Sequence, residues 1–185
     1  RIHPDKGVHL AIEVARMSGL PLLIAGIIQD AAYFREQIAP HLDANIQYIG
    51  PVDVAGKNEL FTKARALLHL NTIPERFGLV LVEANAAGVP VIAMDLGSCR
   101  EVISDEQTGF LVADVHGAVK CLSRISVINE GACRVRVEKH FSIESMVEGY
   151  ERVYQTIFRQ RPPASPAPKR PGLRHEPPLF RNVPK

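Results

Sequence analysis

The stretch Pro74-Glu75-Arg76-Phe77-Gly78-Leu79-Val80-Leu81-Val82-Glu83-Ala84-Asn85-Ala86-Ala87-Gly88-Val89-Pro90-Val91-Ile92-Ala93 decides the fold. Its first part reads as a loop that opens a helix at Phe77-Gly78. Gly88 ends that helix, and the apolar run 89–93 reads as a strand covered on both faces. Outward from it the same alternation repeats. Apolar runs at 20–26, 46–50, 66–70 and 109–112 are the other candidate strands. Helical patterns fill 8–18, 31–39 behind an Asp30 cap, 54–65, 79–87, 115–128 and 130–139. Residues 142–158 carry apolar side chains at helical spacing behind Ser142 as N-cap. Strands alternating with helices of this length predict an α/β fold: a Rossmann-like parallel sheet flanked by helices.

The central stretch also carries chemistry. A strand–loop–helix junction places free backbone amides and the positive end of a helix at the C-terminal edge of the sheet. Open α/β sheets hold ligands there, and such a helix start favours phosphate. Gly78 lets the backbone approach a ligand closely. Glu75 lies in the loop, and Glu83 follows about a turn and a half inside the helix. Carboxylates in these positions can accept hydrogen bonds from sugar hydroxyls and from a ribose diol. Two glutamates at this spacing are, taken alone, ordinary exposed charges on an amphipathic helix. Their neighbours separate the two readings.

With those neighbours, the stretch resembles the donor-site motif E-x-F-G-L-x-x-x-E-A-x-A-x-G-x-P-V-I-A of family 4 retaining glycosyltransferases. Arg76 departs from it, since relatives often carry Pro or Gly there. Arg1-Ile2-His3-Pro4-Asp5-Lys6-Gly7 resembles the same family's R-x4-K-G loop, which follows the first strand of the domain. Ile49-Gly50-Pro51-Val52 resembles a loop that approaches the base. Leu96-Gly97-Ser98-Cys99-Arg100-Glu101-Val102-Ile103, with Thr108-Gly109-Phe110-Leu111-Val112, resembles a further family segment.

The resemblance covers about residues 1–158 and implies the C-terminal, nucleotide-sugar-binding half of a GT-B architecture. It implies Glu75, Arg1 and Lys6 as the catalytic set, with Arg1 and Lys6 neutralising the leaving diphosphate. Phe77, Gly78 and Leu79 would hold sugar and diphosphate through their backbone, and Glu83 would bind the ribose. Val52 would approach the base, and Gly97 and Ser98 would border the donor sugar. Glu101 reads equally well as a loop anchor. A nucleotide-diphosphate sugar is the implied substrate, transferred with retention of configuration, and no metal or other cofactor is called for. His9-Leu10-Ala11-Ile12 and Pro40-His41-Leu42-Asp43 resemble a bacterial branch that includes UDP-glucose-dependent enzymes. The family also implies an N-terminal acceptor domain with a catalytic histidine, without which residues 1–158 would be inactive. A non-catalytic nucleotide-binding or scaffold module is the alternative.

Composition narrows the field. The 185 residues suit one domain, and 46% of them are hydrophobic. Net charge is +2, but 159–185 holds seven Lys/Arg against one Glu, while 1–158 holds 15 basic against 19 acidic residues. The mildly acidic domain argues against a nucleic-acid face. Eight of the 14 prolines fall in 159–185, which reads as a disordered, basic, Pro-rich tail. Cys99, Cys121 and Cys133 form no C-x-x-C pair, and the sparse count points to reduced thiols in the cytoplasm. Cys99 reads as a small core filler, and His69 as a packed or loop-adjacent residue. No apolar run is long enough to span a membrane.

Overall fold

The computed structural model describes residues 1–160; the reading of 159–185 as a tail lies almost wholly outside them. Five short strands run in chain order: β1 (Leu22–Ala25), β2 (Ile46–Gly50), β3 (Leu67–His69), β4 (Val91–Met94) and β5 (Gly109–Val112). All pairings are parallel, which runs without polar alternation suit; β4 is covered on both faces, whereas Leu23 of β1 and Ile49 of β2 are exposed. They form two ladders, β1–β2 and β3–β4–β5, rather than the single sheet read from the sequence. No hydrogen-bonded ladder joins β1 to β3. The segment beginning at Ile2 lies against the C-terminal ends of both: Ile2 N donates to Ile27 O (2.8 Å), and Thr72 N donates to Asp5 O (3.0 Å).

The helices are α1 (Val8–Ser18), α2 (Ala31–Tyr33), α3 (Val54–Lys63), α4 (Leu79–Ala86), α5 (Cys99–Val102), α6 (Val115–Ser123), α7 (Glu130–His140) and α8 (Ile143–Gln160). Side-chain caps start many of them. Asp30, Asp53, Asp114 and Asn129 each accept a first-turn amide of the helix that follows, and Ser142 Oγ accepts Ser145 N (3.1 Å). The helix expected over 31–39 is broken. After α2 the chain makes a π turn at Phe34–Ile38 and a 3-10 turn at Ala39–His41, where Pro40 has no amide to continue the ladder.

Burial shows how the layers meet. In β4, Ile92 packs with Val14 of α1, Ala118 and Leu122 of α6 and Phe110 of β5. Its neighbours Val91 and Ala93 point the other way, toward Phe61 of α3, Leu81 and Ala84 of α4 and Val102 of α5. The period-two alternation of a strand therefore feeds two cores, and this is why β4 is apolar throughout. A third cluster packs Ile12 and Ala15 of α1 with Ile24, Tyr33, Ile38 and Ile46. Cys99 and Cys133 are buried within these cores, and all three cysteines are free.

The contacts divide the chain into Arg1–Met146 and Val147–Lys185. The described part of the second unit is the remainder of α8, whose apolar side chains, Tyr150, Val153, Tyr154 and Ile157 among them, are exposed. Among the described residues no helix is long and apolar enough to cross a membrane.

Candidate functional site

The strand ends collect the residues singled out by the sequence. The loop before α1 makes a 3-10 turn over Pro4–Lys6, with His3 Nδ1 accepting Asp5 N (3.2 Å). Gly7 then turns into α1 at φ +61, against Leu70: a Cβ on Gly7 would lie 1.8 Å from Leu70 O, so only glycine fits. That fit aims Lys6 across the end of β3. Its Nζ donates to Glu75 Oε2 at 2.9 Å.

Glu75 follows β3 in a loop with no freedom to wander. Its carbonyl accepts Ser98 N (3.0 Å) and Ser98 Oγ (3.2 Å), and its backbone bridges Gly97 in parallel. Gly97 has φ +63, and a Cβ there would lie 2.2 Å from Glu75 O. Gly97 and Ser98 therefore hold the Glu75 backbone, and the Ser98 hydroxyl donates to the Glu75 carbonyl. On the side chain, Oε2 also accepts Asn71 Nδ2 (2.7 Å), and Oε1 accepts Arg76 N (3.0 Å). Burial pushes the Glu75 carboxyl up. Hydrogen bonds from Lys6, Arg76 N and Asn71, with the Lys6 charge, outweigh it and bring the group down to about 2. Glu75 is thus an acceptor-only carboxylate at any ordinary pH.

Gly78 (φ +79) opens α4, and among the described residues no side chain caps it, while Leu81 N donates to Gly78 O (2.9 Å). Phe77 lies edge-to-face with Phe141 (centroids 6.2 Å apart), half-exposed, and Leu79 is exposed. Glu83, one turn into α4, pairs with Lys57 Nζ of α3 at 2.5 Å. Val52 is partly exposed in the turn that starts α3, beyond β2. Arg1 Nη1 donates to Gln29 Oε1 (2.7 Å) beyond β1. The structure thus joins Lys6, Glu75, Gly97 and Ser98 directly. Phe77, Gly78 and Leu79 adjoin them in the chain, and Glu83 follows on α4. Arg1 and Val52 lie at the ends of β1 and β2, with no bond to Glu75.

Two residues here were not read from the sequence as part of the site. Asn71 is buried, and its amide is spent on Glu75. His69, the last residue of β3, is buried, and its Nε2 lies 3.2 Å from Glu75 Oε2. A polar pair at the C-terminal end of an otherwise apolar strand was the available signal. Glu101 lies in α5 with its side chain exposed, and its backbone carbonyl accepts Arg136 Nη2 (2.7 Å).

The family model for glycosyl transferases group 1 matches residues 1–124. The chain is 33% identical over 170 residues to the phosphatidyl-myo-inositol mannosyltransferase of Mycobacterium tuberculosis, covering 83% of this chain and 44% of that protein. It therefore spans less than half the length of that relative. The sucrose-phosphate synthase of Thermosynechococcus elongatus superposes with a TM-score of 0.71 at 24% identity, over 86% of this chain and 44% of the other. Anabaena HepE, crystallised with UDP and glucose, superposes with a TM-score of 0.70 at 20% identity, over 84% of this chain and 46% of its own. These two likenesses establish the shared fold.

Proposed function

The chain belongs to the glycosyl transferases group 1 family, and on that premise we propose that it is the donor-binding part of a retaining sugar transferase that uses a nucleotide-diphosphate sugar. The observation that carries this reading is the Lys6–Glu75 contact, which brings two family-like motifs 69 positions apart onto one sheet edge beside the open start of α4. The diphosphate lies over the first-turn amides of α4. Lys6 and Arg1 balance its charge as it leaves. Glu75 accepts sugar hydroxyls, Glu83 accepts the ribose diol, and backbone near Val52 meets the base. Phe77, Gly78, Leu79, Gly97 and Ser98 shape the sugar and phosphate space. The bond from the anomeric carbon to the diphosphate oxygen breaks. A bond from that carbon to an acceptor hydroxyl oxygen forms on the same face, without a protein nucleophile, and the hydroxyl's proton passes to the departing diphosphate oxygen.

Residues 1–158 form the donor-binding domain, and the acceptor is held by a further N-terminal domain of the GT-B pair. Without that domain the chain binds donor but does not transfer it. The sparse free thiols support a cytoplasmic setting. UDP-glucose is the first donor to test; GDP-mannose stands beside it because the Mycobacterium tuberculosis relative is named a mannosyltransferase.

Calorimetric titration with UDP-glucose, GDP-mannose and ADP-glucose tests the reading. Selective binding of one donor supports it and names the nucleotide. A folded chain that binds none of them contradicts it and leaves the scaffold alternative.

A further inference from the structure

Glu75 Oε2 is approached by nitrogens from three segments. Lys6 Nζ comes from the 3-10 turn at 2.9 Å, Asn71 Nδ2 from the loop after β3 at 2.7 Å, and His69 Nε2 from the end of β3 at 3.2 Å. Lys6 and Asn71 donate in good geometry. His69 Nε2 is fully buried and has no hydrogen-bond partner among the described residues. A buried ring nitrogen without a partner is costly. Here it stands beside an oxygen whose accepting positions are already taken by two other donors.

Lys6 is also the side chain assigned to the donor diphosphate, and the role of His69 rests on that assignment. A diphosphate brings two negative charges to the edge and competes with Glu75 for the ammonium. As Lys6 turns to it, Oε2 loses its cation and regains an accepting position. We propose that His69 takes up a proton when a nucleotide sugar binds and replaces Lys6 as the cation on Glu75 Oε2. Glu75 then keeps its charge and its orientation while Lys6 serves the diphosphate. The proton comes from solvent on binding and returns when the diphosphate product leaves. His69 is a positioning residue, because it touches Glu75 and not the sugar.

The charges around the ring support this exchange. In the free chain, burial holds the His69 imidazole neutral, Glu75 opposes burial, and Lys6 adds to it. Withdrawing Lys6 removes one influence against the proton and leaves the one in its favour. From the other packed elements, the Cys99 thiol of α5 is itself pushed up by burial and stays neutral. Asp95, after β4, is held by Arg100, and Asp5 of the 3-10 turn lies 3.2 Å from His3 Nδ1. The diphosphate of a nucleotide sugar carries no proton near neutral pH, so any proton taken up belongs to the protein.

Two measurements on the full 185-residue chain test the proposal. In the first, without ligand, the His69 imidazole is titrated by NMR in wild type and in Lys6→Met. The midpoint rises in the variant; an unchanged or lower midpoint overturns the proposal. In the second, UDP-glucose, GDP-mannose and ADP-glucose are titrated calorimetrically near neutral pH in two buffers of different ionisation enthalpy. The donor that binds shows net proton uptake, and its affinity rises as pH falls, by at most about tenfold per pH unit. His69→Gln abolishes the uptake. Binding with equal enthalpy in both buffers, or uptake that survives in His69→Gln, overturns the proposal and leaves the donor reading intact. Failure of all three donors to bind overturns both. The ligand-free titration and the wild-type uptake stand even where His69→Gln does not fold.

Discussion

Lys6 Nζ and Glu75 Oε2 meet at 2.9 Å across the end of β3, and the meeting is enforced from both sides. Gly7 seats the Lys6 turn against the Leu70 carbonyl, where no Cβ fits, and Gly97 and Ser98 seat the Glu75 backbone. The pair therefore ties the loop that opens the chain to the loop that opens α4. Replacing Lys6 with Met removes the cation from both Glu75 and the proposed diphosphate position. The expected result is weaker nucleotide-sugar binding, by roughly 10–100-fold, read by calorimetry on a chain whose circular dichroism is unchanged. Binding within twofold of wild type would remove Lys6 from the site.

The Glu75 carboxyl falls from 4.5 to about 2 in the folded chain. A depressed carboxylate contributes stability that is present above its unfolded value and lost as pH falls through its folded value. The window is therefore between 4.5 and about 2. Across it, wild type loses on the order of 2 kcal/mol that Glu75→Gln does not lose. Urea unfolding at a series of pH values reads the difference. Parallel pH profiles for the two proteins would contradict the network.

Gly97 sits at φ +63 with its missing Cβ directed at the Glu75 carbonyl. Gly97→Ala both strains the backbone and displaces Glu75. It is expected to cost about 1–3 kcal/mol in unfolding free energy and to weaken donor binding together with stability. A stable Gly97→Ala chain with normal binding would mean that the two loops are not coupled.

Glu83 pairs with Lys57 at 2.5 Å, but its side chain is 41% exposed. A pair that open to solvent contributes little to stability. Glu83→Ala is expected to leave the unfolding midpoint nearly unchanged while weakening nucleotide-sugar binding about tenfold or more, a loss of about 1.4 kcal/mol. A drop in stability with unchanged affinity would recast Glu83 as a structural partner of Lys57.

Much of this arrangement was legible in the chain, for identifiable reasons. The bounds of α1 and β2 were readable because Gly7 and Gly19 frame one and Gly50 ends the other. The helix at 79–86 and its neighbour β4 were readable because Gly78 and Gly88 punctuate them. Other features depend on tertiary contacts that spacing does not carry. Helix α5 is four residues long, too short to show a period. The split into two ladders depends on whether β1 and β3 lie close enough to pair, and no local pattern encodes that. In the site, Lys6 and Glu75 stood in motifs, whereas His69 stood within the apolar run 66–70 and so read as packed or loop-adjacent. Its burial is real, but what it is buried against is Glu75.

Amide chemical-shift mapping of the isotope-labelled chain during titration with a nucleotide sugar shows whether donor binds at the edge formed by the Lys6 turn and the start of α4, because it locates even weak binding. Shifts are expected to concentrate at Lys6, at Gly50 and Val52, at Glu75 to Leu79, at Glu83, and at Gly97 and Ser98. Shifts confined to other surfaces, such as the exposed face of α1, or no shifts at saturating donor, would contradict donor binding at that edge.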